Sequence, residues 1–97
     1  MNIQAMMQQA KKLQSQLEKT TNEINEKTFT FENDNVLVEC LGTNTITKIE
    51  IKNEDLLSDS EMLADIIQVA VNEALNKVKE EKEKKIGKYA NGLGGLF

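Results

Sequence analysis

Residues 28–52, TFTFENDNVLVECLGTNTITKIEIK, decide the fold of this chain. Apolar and polar side chains alternate in three short runs, and the turn-forming segments NDN (33–35) and GTN (42–44) separate these runs. The pattern predicts three antiparallel strands over about residues 28–32, 36–42 and 45–52. Leu37 and Leu41 add apolar side chains to the second face, so we expect both faces of the sheet to need cover.

An amphipathic helix is predicted ahead of the sheet, over about residues 2–26. Its apolar residues recur in a heptad pattern, and the segment lacks Pro and Gly. The stripe consists of Ile3, Met6, Ala10, Leu13, Leu17 and Ile24. Such a stripe packs either on the sheet of its own domain or in a seam with a helix of a partner chain, and its narrowness favours the seam.

A second helix is predicted over about residues 59–90, followed by a flexible tail at 91–97. Ser58 and Glu61 have the spacing of a capping box at its start. Residues 62–78 are apolar around much of the helix, which predicts deep burial. The next seven residues, KEEKEKK, contain no apolar side chain and are expected to lie in water, with support from i,i+4 pairs such as Glu80–Lys84 and Glu81–Lys85.

These elements predict an α+β protein of order α-β-β-β-α, with residues 1–97 forming a single domain. A three-stranded antiparallel sheet is flanked by two long helices. At about 1.5 Å per residue the second helix is roughly 45 Å long, whereas strands of this length span about 20–25 Å. Both helices are therefore expected to project beyond the sheet.

The composition argues against an enzyme. The chain contains no histidine, so its one cysteine, Cys40, has no imidazole base, and its alternation with Val36 and Val38 predicts a buried structural thiol. The acidic residues at 54–65 do not have the spacing of a calcium-binding loop. We therefore expect no catalytic site, metal, cofactor or small-molecule substrate. A single cysteine and the lack of a long apolar run or secretory leader favour a cytoplasmic protein without a membrane segment.

Charge is distributed unevenly along the chain. The net charge is −4, yet residues 28–65 hold two lysines against nine acidic residues, while residues 66–97 hold six lysines against four. Six of the lysines fall between Lys77 and Lys88, with three glutamates among them. The simplest interpretation is a solvated helix kept soluble by mixed charge. The alternative is a surface that binds a polyanion through lysine alone, because the chain has no arginine for bidentate contacts.

Three blocks of sequence, in this order, resemble the YbaB/EbfC family of bacterial nucleoid-associated proteins. They are MQQAKKLQ (7–14), EMLADII (61–67) with AVNEA (70–74), and IGKYANGL (86–93). The resemblance implies a homodimer shaped like tweezers, whose helical arms contact double-stranded DNA in the nucleoid. Carried over by position, the candidate contacts are Lys11, Lys12, Lys19, Lys82, Lys84, Lys85 and Lys88. Where many relatives have a Gly-rich turn between the first two strands, this chain has Asn33-Asp34-Asn35.

A second hypothesis is a protein-interaction module or a small chaperone of the prefoldin type. Projecting helical ends on a small sheet also suit a protein that grips clients, and the acidic total charge favours this alternative over DNA binding. The two hypotheses differ in one measurable property, since only the first predicts retention of a DNA fragment at physiological salt.

Overall fold

The computed structural model describes residues 2–94, with side chains through Tyr89. The elements follow the predicted order, so the α+β fold class is confirmed. They are α1 (Ile3–Glu26), β1 (Thr28–Glu32), β2 (Val36–Leu41), β3 (Ile46–Ile51), a short 3-10 helix (Glu54–Ser58) and α2 (Ser60–Gly94). None of the helices within residues 2–94 is long and apolar enough to cross a membrane.

The sheet is an antiparallel meander with β2 in the centre. The β1–β2 turn is set by Asn33, whose side-chain oxygen accepts hydrogen bonds from the backbone N–H groups of Asn35 and Val36, both at 2.9 Å. The β2–β3 turn contains Asn44 at a φ of 65°, a left-handed conformation that asparagine tolerates better than most residues. A register shift at Glu39/Cys40 marks a bulge between β2 and β3.

One face of the sheet is covered by α2. Alternate residues of β2, Val36, Val38 and Cys40, are fully buried beneath it. On α2 the facing positions include Ala70 and Ala74, whose small side chains allow a close approach, and the Cys40 thiol lies 3.7 Å from the carbonyl oxygen of Ala74. No element within residues 2–94 covers the opposite face to the same extent, where Leu37 and Leu41 are half-buried. The expected cover on both faces is therefore not supplied within one chain.

The start of α2 differs from the prediction. Ser58 does not cap the helix, because it lies in the 3-10 helix and its hydroxyl donates to the carbonyl of Asp55 at 2.9 Å. The carboxylate of Asp59 takes that role instead, and accepts a hydrogen bond from the backbone N–H of Met62 at 3.1 Å. The expected capping box between Ser58 and Glu61 is thus wrong by one residue.

The end of α2 also differs. The helix continues through Gly94, past the expected end at residue 90, so the segment 91–94 is helical rather than a tail. The rest of the expected tail, 95–97, lies outside the described residues. Burial differs too, because Met62 and Val69 in the apolar first half of α2 are 52% and 60% exposed. A single chain does not bury this half as deeply as the composition predicts.

The apolar stripe of α1 packs on α2 of the same chain. Ile24 is buried in one cluster with Val78, and Ile86 of α2 packs on that cluster. Leu13 and Leu17 are half-buried further along α1. Within the chain the main contact of the stripe is α2 and not the sheet, which corrects the first arrangement considered from the heptad, whereas the seam with a helix of a partner chain stays a prediction. The molecule measures 69 × 20 × 16 Å. We call α1 and the part of α2 beyond Val78 the arm, and the remainder the platform.

Candidate nucleic-acid interface

All seven lysines predicted to contact DNA lie in the arm. Six of them are exposed and Lys82 is half-buried. The fold therefore brings the lysines of α1 and those of α2, which are far apart in sequence, onto one elongated structure. It does not gather them on one surface, since the lysines of α2 are divided between two sides of that helix.

The first side of α2 faces β1. A shallow cavity of about 310 Å³ on this side is lined by Phe29, Lys77, Glu80, Glu81 and Lys84. The Lys77 ammonium donates to the carbonyl of Thr30 at 2.6 Å and lies 5.8 Å from the centre of the Phe31 ring. Lys77 is therefore held by the sheet, whereas Lys84 remains exposed for an external anion.

The second side of α2 faces the β2–β3 turn. A larger groove of about 740 Å³ lies here, with an apolar floor that includes Leu75 and Val78. Its rim carries amides and charges: Asn44, Asn72, Asn76, Lys79, Lys82 and Glu83. Lys79 is absent from the predicted contacts, yet it lies beside Lys82 in this groove. Their i,i+3 spacing on a helix is the signal that sequence reasoning could have used.

Glu81 joins the arm to the platform. Its carboxylate accepts hydrogen bonds from the ammonium groups of Lys27 and Lys85, the latter at 3.1 Å, and its side chain is only 16% exposed. The hydrogen bond from Lys27, followed by that from Lys85, lowers the pKa of Glu81 below its ordinary value of 4.5. The predicted pair Glu81–Lys85 is therefore present, whereas the described residues show no ion pair between Glu80 and Lys84. Part of the Lys85 charge is thus compensated within the chain.

The lysines of α1 lie on two faces of that helix. Lys12 and Lys19 are two turns apart and project in similar directions, while Lys11 is rotated by about 100° from Lys12. Lys11 lines a shallow cavity of about 260 Å³ with Gln4, Met7 and Gln8. No acidic residue occurs between positions 2 and 17, so the charged side chains of this half of α1 are all positive.

The aromatic ring nearest the end of the described arm belongs to Tyr89. The ammonium of Lys88 lies 5.1 Å from the centre of this ring, and Tyr89 itself is half-buried. A cation at this distance is attracted by the negative face of the ring, which restricts the position of the lysine. Lys88 therefore lies exposed on the arm with a weak preference for the face of this ring.

Comparison with known proteins gives a consistent result. Residues 1–93 match the family model described as the YbaB/EbfC DNA-binding family. A nucleoid-associated protein of Ligilactobacillus salivarius (strain UCC118) is 36% identical over 99 residues, covering 99% of this chain and 95% of the relative. One from Enterococcus faecalis (strain ATCC 700802 / V583) is 40% identical over 99 residues, covering 98% and 94%. Another, from Malacoplasma penetrans (strain HF-2), is 40% identical over 87 residues, covering 87% and 92%.

Proposed function

Because the chain belongs to the YbaB/EbfC DNA-binding family, we propose that it is a homodimeric nucleoid-associated protein that binds double-stranded DNA. It acts in the cytoplasm, on the nucleoid, with an architectural or regulatory role and without enzymatic activity. The observation that carries the proposal is the separation of charge between the lysine-bearing arm and the acidic platform.

The separation of charge explains how an acidic protein binds a polyanion. The sheet and the start of α2 lie within residues 28–65, which hold two lysines against nine acidic residues. The molecule is 69 Å long, whereas charges are screened over about 10 Å at 0.1 M salt. A phosphate at the arm therefore responds to the local lysines and little to the platform. Repulsion from the platform also directs the duplex toward the arm.

The contacts are lysine to phosphate. Lysine presents a flexible point charge, whereas bidentate recognition of guanine is typical of arginine, which this chain lacks. Binding of this kind reads little sequence and depends strongly on salt. The proposed contacts remain those predicted by position, Lys11, Lys12, Lys19, Lys82, Lys84, Lys85 and Lys88. The compensating bonds of Glu81 make Lys85 the weakest of them.

Dimerisation is supported by exposed apolar side chains on the platform. Met62 and Val69 on α2, Leu57 in the 3-10 helix and Ile49 on β3 are between 45% and 63% exposed. Met62, Ile66 and Val69 follow one another at helical spacing and line a cavity of about 240 Å³ between α2 and the β1–β2 turn. A second copy that covers this surface also completes the burial expected from the composition of α2.

The dimer is tested with Val69→Lys, which places a charge in the proposed interface. We expect the mass measured by light scattering to fall from two chains to one. Gln68→Lys, at the neighbouring exposed position, is the matched control and should leave the dimer intact. A wild-type protein that is a single chain at micromolar concentration contradicts the proposal.

DNA binding is tested by a salt titration with a fluorescent duplex. The double substitution Lys84→Glu and Lys85→Glu removes up to four phosphate contacts from a dimer, so the slope of log affinity against log salt should flatten by up to about 3.6. Lys48→Glu with Lys52→Glu makes the same charge change on the platform and should leave the slope close to that of the wild type. An unchanged slope in the arm variant argues against the proposal.

The client-binding alternative is favoured by one observation. Ile3, Met6 and Met7 at the start of α1 are 46–70% exposed, as expected for a helix that grips unfolded protein. This alternative predicts suppression of aggregation of a denatured model client, together with no retention of DNA at physiological salt. The two measurements on one protein sample decide between the candidates.

A further inference from the structure

The first two turns of α1 extend the arm beyond the described part of α2. At about 1.5 Å per residue α1 is roughly 36 Å long, whereas the described part of α2 beyond Val78 is roughly 24 Å. Residues 3–8 of α1, here called the arm tip, therefore project. Ile3 is 70% exposed, Met7 55% and Met6 46%, whereas Ala10, Leu13 and Leu17 are half-buried.

The surroundings of these apolar side chains are positive. Lys11 and Lys12 are the only charged side chains between positions 2 and 17, and Glu18 is the first acidic residue. The N-terminal end of α1 adds the positive end of a helix dipole. The side-chain oxygen of Asn2 caps this end by accepting from the N–H groups of Gln4 and Ala5, and the first turn contains no acidic residue. An apolar surface flanked by two lysines fits an anionic partner that also offers an apolar interior.

We propose, on the basis of the proposed function, that the arm tip is a wedge: it enters the minor groove of the bound DNA and inserts Ile3 and Met7 at a base step. Stacked bases flanked by two rows of phosphates supply both required properties. Isoleucine and methionine are among the side chains that partly unstack base steps and kink a duplex by about 20–90° toward the major groove. This assigns to the arm tip an effect on DNA shape, separate from the phosphate contacts along the arm.

The dimensions suit an end-on approach. The minor groove is about 6 Å wide and an α-helix is about 10–12 Å across, so only side chains at the helix end can enter. Lys11 follows Met7 by one turn, about 6 Å along the helix, which brings its ammonium to the height of the phosphates beside the step. A second arm tip is a poorer occupant, because it carries the same lysines and repels the first.

The proposal is tested by ligase-mediated circularisation of a DNA fragment of about 150 bp, one persistence length, at saturating protein. Wild-type protein should raise the circularisation rate about tenfold or more over free DNA, because a kink brings the ends together. The variant Ile3→Gln with Met7→Gln keeps good helix formers at exposed positions and should return the rate to that of free DNA. Its affinity, measured by anisotropy, should stay within about threefold of the wild type.

The variant Lys11→Gln with Lys12→Gln is the matched control, with two substitutions in the same helix. It should bind DNA more weakly but retain most of the circularisation at saturation. Equal circularisation by wild type and the Ile3/Met7 variant overturns the wedge, as does wild-type binding without any increase. Both results leave the proposed function standing, whereas absence of DNA binding by the wild type refutes that function itself.

Other occupants of the arm tip give different outcomes. If the Ile3/Met7 variant loses assemblies larger than a dimer in light scattering while circularisation is unchanged, the tip binds a second copy. If it loses co-sedimentation with vesicles of anionic phospholipid, the tip binds a membrane surface, and loss of client protection indicates protein binding. Each of these results, obtained with unchanged circularisation, overturns the wedge.

Discussion

A single methyl group added at Gly42 would disturb the packing of the β2–β3 turn against α1. A Cβ atom at Gly42 would lie 1.8 Å from the carbonyl oxygen of Ile24 and 2.5 Å from its carbonyl carbon, whereas real Cβ atoms stay beyond 3.0 Å. Both clashing atoms belong to the backbone of α1. The β2–β3 turn and the end of α1 must therefore separate by more than 1 Å in Gly42→Ala. The hydrogen bond from the Gly42 N–H to the carbonyl of Lys27, now 3.2 Å, is strained or lost with it.

The cost follows from these two effects. Overpacking of a rigid site costs about 1–3 kcal/mol and one backbone hydrogen bond about 1 kcal/mol, so the free energy of unfolding should fall by about 2–4 kcal/mol. For a domain of this size the Tm should fall by about 10–20 °C. The measurement is thermal unfolding followed by circular dichroism at one fixed protein concentration, because a dimer's Tm depends on concentration.

Gly87→Ala is the matched control. A Cβ at Gly87 meets no heavy atom within 4 Å, and the residue lies in the interior of α2. Alanine favours the helix over glycine by about 0.5–1 kcal/mol, so this variant should be slightly more stable than the wild type. If Gly42→Ala unfolds at the same temperature as Gly87→Ala, the close approach of the turn to α1 does not exist in solution.

Three further predictions concern single side chains. Glu81→Gln should lower the Tm at neutral pH, because it removes the carboxylate that binds Lys27 and Lys85. The folded-state pKa of Glu81 is depressed, so the difference in Tm between the variant and the wild type should shrink as the pH falls from 4.5 through that lower pKa. A difference in Tm that is constant with pH contradicts this. Asp59→Ala should lower the free energy of unfolding in urea by about 1 kcal/mol, and Ser58→Ala by clearly less, since Asp59 caps α2. If Ser58→Ala is the more destabilising of the two, Ser58 caps the helix as the sequence predicted. Burial raises the pKa of the Cys40 thiol, so a thiol reagent should label the native protein only as fast as it unfolds; immediate labelling refutes its burial.

The sheet and the order of elements could be predicted because the signals are local. Alternation in residues 28–32 and 36–41 gives strands with the bounds found in the structure for β1 and nearly those for β2. The start of α2 could not be resolved to one residue, because Ser58, Asp59 and Ser60 are all good capping residues. The 3-10 helix decides which of the three caps α2, because it contains Ser58 and so leaves Asp59 at the capping position. The end of α2 was predicted four residues too early, because glycine permits a helix to stop but does not force it to do so.

The partner of the α1 stripe could not be predicted because a heptad shows that a helix packs, not on what. The stripe packs on α2 of its own chain at Ile24, and the same heptad suits a helix of another chain. The prediction of the candidate site from sequence was limited for a similar reason. Sequence places Lys82 and Lys84 close together, yet the helix turns them toward opposite sides, one to the β2–β3 turn and the other to β1.

The pairing of α1 with the far part of α2 has a consequence for biosynthesis. The two halves of the arm are separated in sequence by the entire platform, so α1 leaves the ribosome long before the residues that cover it. Until the segment beyond Glu81 follows, Leu13 and Leu17 stay exposed on a helix too weakly supported to persist alone. The loop that the pairing of Ile24 with Val78 closes spans more than half the chain, so we expect the arm to assemble late and slowly. A truncation of α2 shortly after Val78 therefore keeps the residues that cover the sheet but leaves the apolar stripe of α1 without its partner.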